Sequence, residues 1–397
     1  MDIVFANAKR VEYSKGNLIT KRSRGMKKKL LALVLSLGMA FTIAQPATTY
    51  AADDAATTAA IASAETKKLD KEYSVTWDAN NEECWSRITL KKQGILNVDL
   101  THPKNNTLGY IAIRATIYDE NENCIFYLSE ESDEEKGEFH IGLDEGTYYV
   151  KLTPQYSSYV YGKTSSYKFS LTKDKHCETE WNNDKESATD MTVGYAYTGY
   201  LGSGFSSLND YRDNEDLYAV TLKKGQLYKF TFDNAQGTTI VKLRGEDVDL
   251  DDLWPSLKAD DFCTEPGTTF AAPYSGTYYL HVYNYSNEQF KYTTKIENVT
   301  PKATSITEIK AGKKTAAVSW KTSRGAGYQV QYSLTKDFKS AKSVKVSANL
   351  DSTKIKKLTS GKTYYVRVRA YTKYENSESK DAYKYSSWSK VQTVEAK

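Results

Sequence analysis

Cysteine, histidine and methionine occur four times each and proline seven times in 397 residues, and each scarcity removes a class of explanation. The cysteines, Cys84, Cys124, Cys177 and Cys263, form no Cys-x-x-Cys pair, which argues against structural zinc. The histidines, at 102, 140, 176 and 281, form no His-Glu-x-x-His and sit beside no Gly-x-Ser-x-Gly elbow, so no hydrolase signature is recognisable. Carboxylates are plentiful, with 50 Asp+Glu, but no feature selects one pair for acid–base work. No long stretch keeps an apolar period of 3.6 residues, which excludes a helical bundle.

One apolar run is long, Leu30 to about Ala44, and it sits in an ordered series. From Met26 the chain reads Met-Lys-Lys-Lys, the run, Gln45-Pro46, then small residues to Ala51-Ala52. A basic head, an apolar core and a small-residue end make an export signal, too short for a comfortable membrane span. Cleavage is expected near Ala51, with a permanent anchor as the alternative. Residues 1–25 fit neither part of the signal, which leaves Met26 as an alternative start. Residues 52–66 are mostly Ala and Thr, too poor in large apolar side chains for a core, and read as a tether. No later run approaches a second span, and the C-terminus carries no sorting motif or apolar tail. The expected location is therefore secreted, with any cell-wall association non-covalent.

What is abundant is tyrosine, 32 residues, in strand-like segments between Gly, Asn, Asp and Ser turns. The net charge of +4 conceals a division. Residues 301–397 hold 21 Lys+Arg and 7 Asp+Glu, a net of +14, whereas residues 52–300 hold 24 against 41, a net of −17. The expected mature chain is an acidic body with a basic end.

The clearest strand is in that basic end. In Leu358–Tyr371, LTSGKTYYVRVRAY, Tyr364, Val366, Val368 and Ala370 fall on one face and Tyr365, Arg367, Arg369 and Tyr371 on the other. Ser360-Gly361 marks a turn, and Leu358 precedes Tyr364 by six residues. Here the sequence resembles a fibronectin type III domain, over about 299–397. The resemblance implies a corner role for Tyr364, a core role for Leu358 and a core tryptophan at Trp320.

Upstream lies an internal repeat. Ile88-Thr89-Leu90-Lys91-Lys92 recurs as Val220-Thr221-Leu222-Lys223-Lys224, and Gly146-Thr147-Tyr148-Tyr149-Val150 as Gly276-Thr277-Tyr278-Tyr279-Leu280, at offsets of 132 and 130. Two anchors in one order at nearly one offset predict two copies of a β module, 67–175 and 176–298. Each copy closes on an alternating segment, Tyr167–Leu171 and Phe290–Ile296. The second copy, with its opening Glu178-Thr179-Glu180-Trp181-Asn182-Asn183-Asp184, the segment Asp213–Tyr218 and the Gly276 strand, resembles the bacterial pre-peptidase C-terminal domain, a β-sandwich. The first copy keeps the strands but has Thr76-Trp77-Asp78-Ala79-Asn80-Asn81 in place of the opening. The fold expected is all-β, three β-sandwich modules in tandem after a signal peptide. Two disulfides are possible in an exported chain. Of three pairings, Cys84–Cys124 with Cys177–Cys263 keeps each bond inside one module and is preferred; reduced, buried cysteines are the alternative.

Three surfaces are candidates. The pre-peptidase resemblance implies calcium, which takes six to eight oxygen ligands, at Glu178, Glu180, Asn182 and Asp184 with Asp213 or Asp216; Asn183 stands where related domains often have Asp. A solvated acidic linker is the alternative. Aromatic side chains at Tyr156, Tyr159 and Tyr161, and at Tyr365 and Tyr371 around Arg367 and Arg369, suit sugar rings or polypeptide, though sheets also use tyrosine for cross-strand packing. The basic end attracts polyanions, or serves solubility alone; nothing marks specific nucleic-acid binding. The expectation is a non-catalytic binding or adhesion protein for an anionic wall polymer, polysaccharide or extracellular protein. The second reading is an accessory that positions a separate hydrolase on its polymer.

Overall fold

In the Gly94–Thr101 strand, GILNVDLT, Leu96, Val98 and Leu100 point inward while Asn97, Asp99 and Thr101 stay partly exposed, and the same period of two recurs along the chain. The computed structural model describes residues 55–128, 134–202, 213–233, 239–248, 262–284, 289–375 and 380–397. The export segment and residues 52–54 lie outside them. Among the described residues are 28 strands and one α-helix, and no helix is long and apolar enough to cross a membrane.

That helix corrects one expectation. Ala55–Ser63, read as part of a tether, is helical, with Ile61 buried, and Glu65–Thr66 then pairs in parallel with Ser86–Arg87. Alanine is the strongest helix former, and one buried isoleucine is enough to dock a short helix against a module.

The repeat is carried by pairing as well as by sequence. In the first copy Leu90 lies opposite Gly146 and Thr89 opposite Thr147; in the second Leu222 lies opposite Gly276 and Thr221 opposite Thr277. Each pair is flanked by a parallel edge strand, Glu65–Thr66 in one and Thr189–Met191 in the other. One sheet of each copy therefore has the same order. It runs Glu65–Thr66, Cys84–Leu90, Gly146–Pro154, Ile113–Tyr118, Cys124–Leu128 in the first, and Thr189–Met191, Glu215–Leu222, Gly276–Tyr283, Ile240–Gly245, Cys263–Thr264 in the second. The facing sheets are Glu72–Thr76, Thr164–Lys173, Gly94–Thr101, Lys136–Leu143 and Ala196–Leu201, Phe290–Asn298, Leu227–Asp233, Thr269–Ala271. Trp77, Val98, Phe139 and Phe169 fill the first core, and Tyr218, Phe230, Leu280 and Tyr292 the second. In the third module Ile306–Gly312, Thr315–Trp320 and Ser352–Lys356 face a sheet centred on Thr363–Glu375, which pairs with Gly327–Ser333, itself flanked by Lys342–Ser347.

Tyrosine closes corners throughout. The hydroxyls of Tyr73, Tyr197, Tyr228, Tyr328 and Tyr364 each accept a hydrogen bond from a backbone N–H five residues upstream, at 2.7–3.0 Å. A ring can thus fill the core while its tip satisfies a backbone donor in a turn, which accounts for part of the high tyrosine count.

The disulfide expectation is also corrected: all four cysteines are thiols. Cys84 and Cys124 sit on strands of one sheet with two others between them. At about 4.8 Å per strand spacing that is about 14 Å, twice what a disulfide can span. Cys177 bridges to Thr198 in one sheet of the second module, while Cys263 pairs with Arg244 in the other. The Cys177 thiol donates to the Asp174 carbonyl (3.2 Å), and burial pushes its pKa up to about 12.

Candidate metal centre

The segment entering the second sandwich is held open by backbone bonds on both sides. Glu178 N–H donates to the Thr198 carbonyl and Glu180 N–H to the Gly142 carbonyl of the first module, both at 2.9 Å. Two residues later the Asn182 carbonyl accepts from Leu217 N–H, 2.9 Å. Extended backbone turns alternate side chains to one side, so the carboxylates of Glu178 and Glu180 meet Asp216 on the neighbouring Glu215–Leu222 strand. One carboxylate oxygen from each lies within 4.8 Å of the others. That is about the diameter of a calcium coordination shell, at about 2.4 Å per ligand bond.

The centre is dry. Glu178, Asn182 and Asp216 have no exposed surface, and Asp213 is buried beside them. No salt bridge among the described residues involves Glu178, Glu180 or Asp216. Burial and mutual repulsion hold the carboxyls of Glu178, Glu180 and Asp213 well above the usual carboxylate range, and burial lifts Asp216 to about 7. Some charge is relieved from below: Tyr200 N–H donates to Glu178 Oε1 (2.6 Å), and Tyr292 Oη donates to Asp216 Oδ2 (2.5 Å) while lying 2.7 Å from Tyr218 Oη. Yet Oε1 of Glu180, Oδ1 of Asn182, Oδ1 of Asn183 and Oδ1 of Asp216 are buried with no hydrogen-bond partner. Orphaned buried acceptors are rare and costly. An all-oxygen donor set with several unsatisfied acceptors fits a hard cation such as calcium, and does not fit zinc or copper.

Of the residues expected at this site, the structure brings Glu178, Glu180 and Asp216 together and buries Asn182 and Asp213 beside them. Asp184 caps a turn instead, its Oδ1 accepting from Ser187 N–H (2.7 Å) and Oγ (2.5 Å). Missed from the sequence were Tyr292 and Tyr218, whose alternation marks them only as core, and Gly199, where a Cβ would stand 2.3 Å from Tyr292 Oη and 2.5 Å from Glu178 Oε2. Tyr292→Phe removes the donor that helps Asp216 ionise. It is expected to cost about 1.5–3 kcal/mol in urea unfolding of the chelated protein at neutral pH, and an unchanged midpoint would contradict this account of the phenol pair.

In the third module Trp320 and Leu358 are both buried in the core, and the Tyr364 hydroxyl lies 3.0 Å from Thr359 N–H at the turn before its strand. Residues 299–384 match the family model of the fibronectin type III domain. Comparison with curated proteins yields no match. Among solved structures, the chain is similar to the pre-peptidase C-terminal domain of a collagenase from Bacillus anthracis, at 12% identity and TM-score 0.20, covering 28% of this chain and 94% of that one. It is similar to an FN3 domain of human collagen XX at 14% identity and TM-score 0.17, covering 24% and 88%. A computer-redesigned β-sandwich protein shares 20% identity at TM-score 0.18, over 24% and 87%.

On the outer face of the fibronectin type III domain, Tyr365, Arg367, Arg369 and Tyr371 alternate as expected and are partly buried. The guanidinium of Arg367 lies 3.9 Å from the Phe338 ring centre and 4.3 Å from that of Trp388; Arg369 lies 4.1 Å from Trp388 and 3.7 Å from Tyr385. Phe338, Trp388 and Tyr385 were not anticipated, because they fall outside the alternating segment. In the first module Tyr156, Tyr159 and Tyr161 are exposed around a single turn, Ser157–Tyr159. The rings of Tyr156 and Tyr159 meet edge to face at 6.2 Å, and Tyr161 donates to Glu82.

Proposed function

We propose that this chain is an exported, non-catalytic binding protein whose sandwiches display surfaces to an extracellular polymer, with a calcium ion bracing the second module. The observation that carries the binding role is the charge division: a fibronectin type III domain with 21 Lys+Arg against 7 Asp+Glu, following a body of net −17. Such a domain concentrates positive potential where the abundant polyanions are wall polymers and acidic glycans. Calcium would be held by Glu178, Glu180 and Asp216, with the buried oxygens of Asn182, Asn183 and Asp213 at hand. It would supply the charge that these carboxylates lack and so rigidify the surface that they underlie.

Retention of the full chain on whole cell walls, chitin, cellulose and collagen, in calcium or chelator, tests the reading. Retention on at least one polymer at low salt, mostly lost by about 0.5 M salt as screening shortens to a few ångströms, is expected. Turnover of any polymer without a partner, or no retention on any of them, would overturn it.

A further inference from the structure

The cations on the outer face of the fibronectin type III domain are stacked and aimed. Arg367 Nε donates to Gln331 Oε1 (2.7 Å) and Arg369 Nε to Gln329 Oε1 (2.8 Å). These bonds fix the guanidinium planes and leave their outer edges free of any carboxylate: no salt bridge among the described residues involves Arg367, Arg369 or Lys345. Lys345 Nζ continues the series, 3.8 Å from the Tyr383 ring centre and 5.3 Å from that of Tyr371. Cation and ring therefore alternate in the order Phe338, Arg367, Trp388, Arg369, Tyr385, then Tyr371 and Tyr383 with Lys345 above them.

We propose that this row is a docking track for a linear polyol phosphate, with Arg367, Arg369 and Lys345 meeting successive phosphates of an extended chain. The proposal rests on the polymer-binding reading above and names its ligand class and face. Spacing is the first argument. Arg367 and Arg369 are alternate residues of one strand, so these two cations stand one step of about 6.8 Å apart along it. Three backbone bonds of an extended chain cover about 3.3–3.6 Å, so a phosphodiester backbone with six bonds between phosphorus atoms repeats at about 7 Å. Lys345 stands two strands across, opposite Gln329 and so level with Arg369, and its ammonium reaches to 5.3 Å from the Tyr371 ring centre, which extends the cation row from Arg369 toward Tyr371.

Chemistry is the second argument. Arginine presents its donors as a planar fork that suits phosphate, and stacking between rings removes much of the side-chain entropy that binding would otherwise cost. The third argument separates polyol phosphate from single-stranded nucleic acid, which has the same backbone repeat. Nucleic-acid tracks offer open aromatic faces on which bases stack. Here Phe338, Trp388 and Tyr385 are faced by guanidinium groups, and Tyr371 packs against Tyr383 at 5.8 Å and Tyr385 at 6.1 Å, which leaves Tyr383 as the exposed ring of the row. What the face offers is charge at a regular step, without a platform for bases.

The test uses the full chain and synthetic poly(glycerol phosphate), with oligothymidylate of equal phosphate number and heparin as competitors, read by titration calorimetry at several salt concentrations. Poly(glycerol phosphate) is expected to bind more tightly than either competitor per charge. Arg367→Gln with Arg369→Gln should weaken it by about tenfold or more, and Lys345→Gln, at an exposed side chain, should lower the slope of log K against log salt by about 0.7. The pair Lys354→Gln and Lys356→Gln, exposed on the opposite sheet, should change affinity by less than about twofold if contacts rather than overall charge decide. Equal losses from Lys345→Gln and that control pair, or tighter binding of oligothymidylate or heparin, would overturn the track. Wall retention that persists in all track variants would sink the track and leave the polymer-binding reading standing; poly(glycerol phosphate) bound by the track without wall retention would do the reverse.

Discussion

Millimolar calcium raises the melting temperature of the full chain by about 10 °C near pH 7.5 relative to chelated protein, and the gain shrinks toward pH 5; this is the expected result at the buried carboxylates. Holding Asp216 at about 7 rather than its ordinary 3.8 costs the metal-free fold about 4 kcal/mol at neutral pH. For a unit of this size each kcal/mol moves the midpoint by about 2–4 °C. The sign follows from linkage. A carboxyl raised in the folded state binds a proton that the unfolded chain has released, so its stabilising contribution is complete below about pH 4 and is lost as pH climbs through about 7. Chelated protein should thus lose stability from pH 4 to 7, whereas a bound cation favours the deprotonated cluster and opposes that loss. Asp216→Asn should abolish the calcium response and raise the chelated midpoint, since a neutral amide carries no stranded charge. The same midpoint from chelator to about 10 mM calcium at pH 8, far above typical extracellular calcium affinities, would remove the metal from the account.

The strands and the duplication were legible because each is a local pattern: alternation in Tyr364–Tyr371, and two anchors repeated at one offset. Pairing follows from those anchors, since Leu90 over Gly146 and Leu222 over Gly276 fix one register in both copies. Strand order does not follow from them. Cys84 and Cys124 share a module, yet the Gly146–Pro154 and Ile113–Tyr118 strands come between them, and nothing near either cysteine encodes that. The carboxylates of the candidate metal centre were visible through the opening motif and the Asp213–Tyr218 segment, but their supports were not. Tyr292 lies 114 residues from Glu178 in a segment that reads as ordinary core, and Gly142 belongs to the other module. Trp388 was invisible as a stacking partner for a different reason. It lies in Ser386-Ser387-Trp388-Ser389, a stretch without period, held in place by side-chain hydroxyls: the Ser386 and Ser389 oxygens accept from Ala370 and Val368 N–H, both at 3.0 Å.

Gly142→Ala alters no ligand and is nevertheless expected to weaken calcium binding about tenfold, at a cost of about 1–3 kcal/mol for the overpacked contact. A Cβ at Gly142 would stand 2.2 Å from the Glu178 carbonyl oxygen and 2.6 Å from its Cγ. Backbone on one side and a buried ligand side chain on the other leave no flexible end to yield. The same residue's carbonyl accepts from Glu180 N–H, and Trp181, next after Glu180, packs against the first module's core. A second contact lies close by, where the Gln289 side chain exchanges two hydrogen bonds with the His140 backbone at 2.9 and 2.8 Å, and the His140 ring lies tilted 4.6 Å from that of Tyr200, whose N–H caps Glu178. The strand of the first sandwich and the ligand loop of the second are therefore one mechanical element, and coupling between them must act in both directions. Pushing the loop off Gly142 should cost calcium affinity, and removing calcium should free the two sandwiches to hinge, visible as a larger radius of gyration in solution scattering. Calcium titration and scattering of the alanine variant measure both halves. A variant that melts earlier while binding calcium as tightly as the parent would show that the first sandwich absorbs the clash alone, and the coupling would fall.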